Sequence, residues 1–372
     1  MQWESAFADR NKTTLLLLWP FSASVPCVKL NVKRLKLQLT HLWAIARGSG
    51  SNTAETVMVE LVGADGTVGW GEAAPISRYK ESLDTVEAFL KKVDPRGLTF
   101  SDVEGSMSYL DTLSPHDMSA KCALNIALLD GAAKRAQKPI YDFLGLGFRE
   151  NHHISSFTIG IDKPDMIRKK VLEAEQYPVL KMKLGVADDR INLQALREVA
   201  PVKTLRVDAN EGWKTKEQAL EMIEWLAKDG HIEFVEQPMP AATPVKDWVW
   251  LKARSPLPIF ADESYHLAKD VPQVAECFHG ANVKLVKTGG VSGGFEALSA
   301  ARKAGLKTML GCMIESSILI SAAAHLAELC DHLDVDGNIL ISNDPYLGVT
   351  SSKGTLSFAQ SPEKFGLRVS PR

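Results

Sequence analysis

Asp208, Glu236 and Asp262 each close a short apolar run, in Leu-Arg-Val-Asp, Phe-Val-Glu-Gln-Pro and Ile-Phe-Ala-Asp-Glu-Ser. They follow one another at 28 and 26 residues, about one strand plus one helix, so in a parallel barrel all three converge on one rim. Three carboxylates form the hard, oxygen-only ligand set that suits Mg²⁺, and the absence of histidine at these positions argues against zinc. Lys181 and Lys183 in Lys-Met-Lys stand upstream of the trio, and Lys284 stands downstream. Together these residues read as a divalent metal between two opposed amine bases.

Each piece also has a plainer reading. Lys-Met-Lys alone fits a strand that ends in two solvated lysines, and Asp208, before Ala-Asn-Glu-Gly-Trp, fits a helix N-cap. Glu236 resists this, because it ends an apolar run that Pro238 stops immediately afterwards. If Lys181 and Lys183 lie on a strand they face the same way, and one ammonium beside another and beside a metal has its pKa lowered toward that of a usable base.

The elements that must position these residues are legible as periods. After Asn151 the chain alternates strand and helix, with candidate strands at Ser155 to Gly160, Leu180 to Leu184, Thr204 to Asp208, Phe234 to Gln237, Ile259 to Asp262, Val283 to Lys287, Thr308 to Cys312 and Leu333 to Asp336. Their regular spacing predicts a (β/α) barrel rather than a doubly wound sheet, and no Gly-x-Gly-x-x-Gly follows any of them. Upstream, Leu30 to Leu39 and Thr56 to Val62 read as antiparallel strands, with a turn at Ala64-Asp65-Gly66. Helical spacing then runs from Leu83 to Val93 and from Ser119 to Gln137. The expected α/β organisation is an extension at 1–27, an α+β capping domain at 28–150, a modified TIM barrel at 151–338, and a segment at 339–372 that returns to the cap.

Composition bounds the function without naming it. A formal net charge of −2 with no basic block argues against nucleic acid or a membrane surface as partner. The five cysteines show no Cys-x-x-Cys spacing, so the default is a reducing, cytoplasmic compartment. Thr14 to Phe21 is apolar and faintly like a secretory signal, but Pro20, Glu4 and Asp9 work against that reading. The sequence leaves a homo-oligomer open.

Lys181-Met-Lys183, Asp208-Ala-Asn210, Val235-Glu236-Gln237-Pro238, Ala261-Asp262-Glu263-Ser264, and Val283-Lys284 followed by Thr288-Gly289-Gly290 resemble the muconate-lactonizing subgroup of the enolase superfamily. The resemblance runs from about Val28 to the C-terminus and includes Gly69-Trp70-Gly71-Glu72-Ala73 and Lys138-Pro139. It implies Mg²⁺ held by Asp208, Glu236 and Asp262, with Lys183 and Lys284 as acid/base partners on the two faces of an enediolate. It further implies that Lys181 lowers the pKa of Lys183 and neutralises the substrate carboxylate. Lys287, an odd count from Lys284, is expected to point away.

Asp334-Val-Asp336 resembles the Asp-x-Asp of dipeptide epimerases, where paired carboxylates make a receptor for a substrate ammonium. The plainer alternative is a capping or calcium-like acidic cluster spanning Asp331 to Asp336. Arg47 matches the position of a lid-loop arginine in Ala-Glu epimerases, which implies a dipeptide with glutamate at its C-terminal position. The lid is lengthened by Gly48 to Asn52, and Arg78 and Tyr79 are further lid candidates without an assigned role. The resemblance thus implies an isomerase acting on a dipeptide. Alternatives are an N-acyl amino acid racemase, an o-succinylbenzoate synthase or a cycloisomerase of the same superfamily, a Schiff-base lyase using Lys284, and a catalytically silent binding barrel.

Overall fold

The computed structural model describes residues 28–46, 48 and 50–372. The expectations for residues 1–27 lie outside the described residues. The chain opens with an antiparallel sheet in the order β1 (Lys29–Trp43), β2 (Ser51–Val62), β3 (Val68–Ala73). The expected turn joins the last two, with Gly66 N donating to Gly63 O at 2.9 Å. The pairing of β1 with β2 slips between Gln38 and Trp43, and Ser51 and Asn52, expected in the lid, belong to β2.

Three helices back this sheet: α1 (Leu83–Leu90), α2 (Val103–Leu113) and α3 (Met118–Arg135). The second was not anticipated from periodicity. Helical spacing alone does not convey the burial of α3, in which every residue from Ser119 to Ala133 is buried. A helix apolar or small all round is one covered on all sides. Gly69 and Gly71 of β3 make that approach feasible, since a Cβ at either would run into the carbonyl oxygen of Ala127 or Ala123.

After α4 (Ile140–Phe143) the second sheet holds eight parallel strands: β4 (Phe157–Ile159), β5 (Val179–Lys183), β6 (Thr204–Asp208), β7 (Ile232–Glu236), β8 (Ile259–Ala261), β9 (Gly280–Lys284), β10 (Lys307–Gly311) and β11 (His332–Asp334). The order is sequential, and a parallel bridge from Ser155 to Leu333 joins its two edges, with Ser156 N donating to Leu333 O at 3.0 Å. The helices between strands are α5 (Pro164–Glu173), α6 (Asp189–Val199), α7 (Lys216–Ala227), α8 (Val245–Lys252), α9 (Val271–Cys277), a single turn α10 (Leu285–Thr288), α11 (Val291–Lys303) and α12 (Ser317–Ala324). The eight expected strands are present, six of them with ends shifted by one or two residues, and the sixth in order is displaced further. The sixth stops at Lys284, because Leu285 to Thr288 winds into α10 and Gly289 closes that turn at a φ of 77°.

Two buried carboxylates couple these parts. Glu72 of β3 accepts from Ser316 N at 3.1 Å, Ser316 Oγ at 2.6 Å and Leu319 N at 3.3 Å, so it satisfies the first amides of α12. Asp130 of α3 accepts from Trp70 N at 2.9 Å and Leu367 N at 2.7 Å. The C-terminal segment carries β12 (Tyr346–Leu347), β13 (Thr350–Ser352), β14 (Thr355–Ser357) and β15 (Ser370–Pro371). It touches β1 through Leu39 and Ile341, and the start of the barrel through Ile154 and Thr355. No helix among the described residues is long and apolar enough to cross a membrane.

The tight seat of β3 on α3 yields a prediction. Gly71→Ala forces the sheet off the helix backbone and is expected to destabilise the protein by at least about 1–3 kcal/mol, the range for overpacking a filled core. Urea denaturation against wild type measures this; an unchanged midpoint would show that the interface yields freely.

Candidate active site

Strand alternation sends every second side chain of the barrel inward, so each inward position repeats two residues later along the same strand. On β7 this pairs Phe234 below with Glu236 above; on β8 it pairs Phe260 with Asp262, one residue past the strand; on β6 it pairs Arg206 with Asp208. The lower layer is a plug: Phe234 stacks on Phe260 at 4.1 Å, and Arg206 lies 5.7 Å from the Phe234 ring while donating to Leu333 O at 2.7 Å. The upper layer lies at the C-terminal rim of the strands. Register holds that layer level, pairing Lys183 with Asp208, Asp208 with Glu236, and Lys284 with Gly311, which pairs with Asp334.

The three expected ligands converge. Asp208, Glu236 and Asp262 are buried, and each offers an oxygen within 4.8 Å of the others. Lys181 Nζ lies 2.7 Å from Glu236, 2.8 Å from Asp334 and 3.2 Å from Asp208. Lys183 donates to Asp208 Oδ2 at 2.7 Å, and Lys284 faces Asp262 Oδ2 at 3.0 Å. The two latter lysines sit on β5 and β9, four strands apart in an eight-stranded ring and therefore diametrically opposed.

Burial raises the pKa of Glu236 to about 7, and the neighbouring Asp208 charge adds to the effect. Asp208 and Asp262 are also penalised by burial, yet adjacent lysines hold both below the ordinary carboxylate range. The lysine side agrees only in part: burial opposes the charge on Lys181, but Asp334, Glu236 and Asp208 hold its pKa well above normal. The direction that follows from the geometry is that the trio resists carrying its third negative charge, and Glu236 bears the strain. Glu236 Oε2 and Asp262 Oδ2, although near lysines, complete no hydrogen bond. Buried carboxylate oxygens left in that condition, with no nitrogen or sulfur donor in the set, fit a hard divalent cation.

Asp334 and Asp336 are both buried at the end of β11. Asp334 accepts from Ser156 Oγ at 2.7 Å and from Lys181 at 2.8 Å, and Asp336 accepts from Thr158 N at 2.7 Å. They are therefore part of the barrel interior and not a surface acidic loop. Burial, then the charge of Asp334, pushes the Asp336 pKa up to about 7. A cation brought to it would be welcome.

Several expectations need correction. Lys287 does not point away: its Nζ donates to Asp262 O at 2.6 Å, Asp262 Oδ1 at 2.7 Å and Asn282 O at 3.2 Å. The parity argument fails because α10 begins after Lys284, and three residues of helix nearly complete a turn. The lysine whose pKa falls is also Lys287, through burial, whereas at Lys284 burial is overcome by Asp262 and the pKa lies well above normal. Arg47 lies outside the described residues. Arg78 is committed to a paired contact with Glu211, at 2.8 and 2.7 Å, which fastens the cap to the loop after β6. Tyr79 packs edge-on against His266 at 5.1 Å.

Other residues that build the site were passed over. Asn282 donates to Glu236 Oε1 at 2.6 Å, and standing two residues before Lys284 it was open to the same parity argument. Gln237 accepts from Asp262 N at 2.9 Å and donates to Met239 O at 2.9 Å, fixing two successive strand ends together. Trp43 at the end of β1 brings the cap to within 5.9 Å of the Lys183 ammonium.

The chain is similar to known proteins along most of its length. Residues 31–145 match the mandelate racemase/muconate lactonizing enzyme N-terminal domain, and residues 166–352 match the enolase C-terminal domain-like family. An L-Ala-D/L-amino acid epimerase of Pedosphaera parvula is 66% identical over 90% of this chain and 96% of its own length. The L-Ala-D/L-Glu epimerase of Bacillus subtilis, solved as a substrate-liganded complex, superposes with a TM-score of 0.85 at 29% identity, over 92% of this chain and 98% of that one. A dipeptide epimerase of Enterococcus faecalis, complexed with Mg and L-Leu-L-Tyr, gives a TM-score of 0.83 at 30% identity, over 93% and 100%.

The three bonds of Lys287 set a second prediction. Lys287→Met removes one member of a buried pair and leaves the Asp262 carboxylate short of a partner, which is expected to cost about 3–5 kcal/mol. Urea denaturation in EDTA tests this, and a loss below about 1 kcal/mol would mean that Lys284 takes over the contact.

Proposed function

The chain belongs to the mandelate racemase/muconate lactonizing enzyme family of the enolase superfamily, and from that membership we propose that it is a dipeptide epimerase. The reaction moves the α-proton of the dipeptide's C-terminal residue by way of an enediolate. The observation that carries the reading is the placement of Lys183 and Lys284 on diametric strands, each against a different carboxylate of the trio. A planar intermediate between them is reached by one amine from each side.

Asp208, Glu236 and Asp262 are the residues that would hold Mg²⁺. When bound, the ion supplies positive charge that offsets the second negative charge built on the substrate carboxylate. Lys183 accepts the α-proton through Nζ while Lys284, protonated, returns one to the opposite face; the roles exchange for the other epimer. Lys181 places a further positive charge beside the substrate carboxylate. The Asp334–Asp336 pair receives the dipeptide ammonium. A superfamily substrate without an ammonium would bring no positive charge to Asp336, the member of the pair that has no lysine beside it among the contacts described, which weighs against a cycloisomerase or N-acyl racemase.

The glutamate preference rested on Arg47. The Pedosphaera relative's name covers D/L-amino acids rather than glutamate alone, and the proposal follows it: L-Ala first, with glutamate among several second residues.

The test is α-proton exchange in D₂O across an L-Ala-L-Xaa panel, followed by NMR. Wild type with Mg²⁺ is expected to exchange and epimerise at least one member, and EDTA to abolish both until Mg²⁺ is restored. Lys183→Ala and Lys284→Ala are each expected to abolish epimerisation, while one variant retains exchange with a single epimer. Normal turnover by either variant would refute the two-base arrangement.

A further inference from the structure

We propose that Asp189, at the start of α6, is a positioning residue for Lys183: it fixes the chain where it leaves β5, and so governs proton transfer on one face of the substrate only. The role of Lys183 as one of two bases rests on the epimerase reading above; the fixing of the chain rests on geometry.

At Lys183 the ladder grips β5 from one side. Toward β6 it runs to Lys183 opposite Asp208, and Leu184 N adds a bond to Asp208 O at 2.9 Å. Toward β4 it ends a residue earlier, with Met182 opposite Ile159. The backbone then turns away through Gly185, at a φ of 98°. The amides of Gly185 and Val186 have left the ladder and still need acceptors. The Asp189 carboxylate supplies them: Oδ1 accepts from Gly185 N and from Val186 N, both at 2.9 Å, and Oδ2 accepts from Gly185 N and from Trp213 Nε1, both at 3.0 Å.

Trp213 carries that anchor across the rim. It lies buried in the loop after β6, and its own amide donates to Pro238 O, beyond β7, at 3.1 Å. Gly185 and Gly212 press the first two loops together, since a Cβ on Gly212 would run into Gly185. One carboxylate therefore links the exits of β5, β6 and β7. The other base is anchored differently: Lys284 lies four strands away on β9 and is followed by α10, whose Lys287 bonds Asp262 and Asn282. A fault at Asp189 is thus felt at Lys183 and not at Lys284. Asp189→Asn keeps the shape, but each carboxylate oxygen accepts from two N–H groups, so either orientation of the amide turns an NH₂ toward donors.

The experiment follows α-proton exchange in D₂O by NMR, with the Mg²⁺-loaded enzyme, for the two epimers of a dipeptide that wild type turns over, each taken separately. Whichever of Lys183→Ala and Lys284→Ala retains exchange identifies the epimer whose proton Lys183 takes. Asp189→Asn is expected to slow exchange of that epimer by about 100-fold, the loss for a reacting group misplaced by about 1 Å, and to leave exchange of the other little changed. Its crystal structure is expected to show the contact of Lys183 with Asp208 broken and that of Lys284 with Asp262 kept. A general weakening of the fold would lower both exchange rates alike; that result, or an unmoved Lys183, overturns the proposal. Should Asp189→Asn not fold, Trp213→Phe, which keeps the carboxylate and its two backbone amides, makes the same comparison: a smaller loss confined to the same epimer supports the anchor, and an equal loss for both overturns it. Should wild type exchange no dipeptide proton, the epimerase reading fails, and the position of Lys183 in the variant crystal still decides the anchor.

Discussion

The molecule is organised around the cost of gathering negative charge in a dry space. Asp208, Glu236 and Asp262 cluster, buried, above the stacked Phe234 and Phe260, where like charges repel over short distances. Four lysines answer them, and the placement of those lysines is what the strand register, the turn α10 and the Asp334 contact achieve. With a divalent cation held by the trio, the amines around it would suit the site to an anion whose charge rises during reaction. Binding and chemistry draw on one electrostatic arrangement.

Holding such a cluster requires rigid strand ends, and the loops beyond them are strained accordingly. Asn210 and Glu211 after β6, and Gln237 after β7, adopt positive φ of 42°, 64° and 36°. Non-glycine residues persist there only where the surroundings over-determine them. The compensation is visible: Asn210 N donates to Asp208 Oδ1 at 2.9 Å, Glu211 is gripped by Arg78 of the cap, and Gln237 bonds along the next strand end. The cap thus braces the backbone that aims the carboxylates, as well as covering the cavity.

Much of this was legible because strands and helices have different periods. Spacing placed the trio on one rim, and alternation placed Lys181 with Lys183. Alternation failed at Lys287, where the element changed type without a composition signal, since Leu-Val-Lys-Thr reads equally well as strand or as a turn of helix. Ser156 and Thr158 were hidden for another reason. Thr158 lies on a strand of three residues and Ser156 just before it, and their importance arises only from sitting beside β11, which is remote in sequence. Helix α2 escaped because its exposed polar residues dilute a stripe in which only Ser106 and Leu110 are buried. Spacing yields what a strand can present; it does not yield which distant segment answers it.

The seam between Ser155 and Leu333 has a bearing on how the chain is made. Ser156 Oγ and Leu333 O meet across a separation of 177 residues, so during synthesis on a ribosome the first barrel strand emerges long before its closing neighbour exists. Until then β4 presents an open edge, and pairings of such long range form slowly. Glu72 and Asp130 likewise wait for Ser316 and Leu367. Vectorial synthesis therefore leaves an early half that cannot complete itself until residues 316–367 have been made.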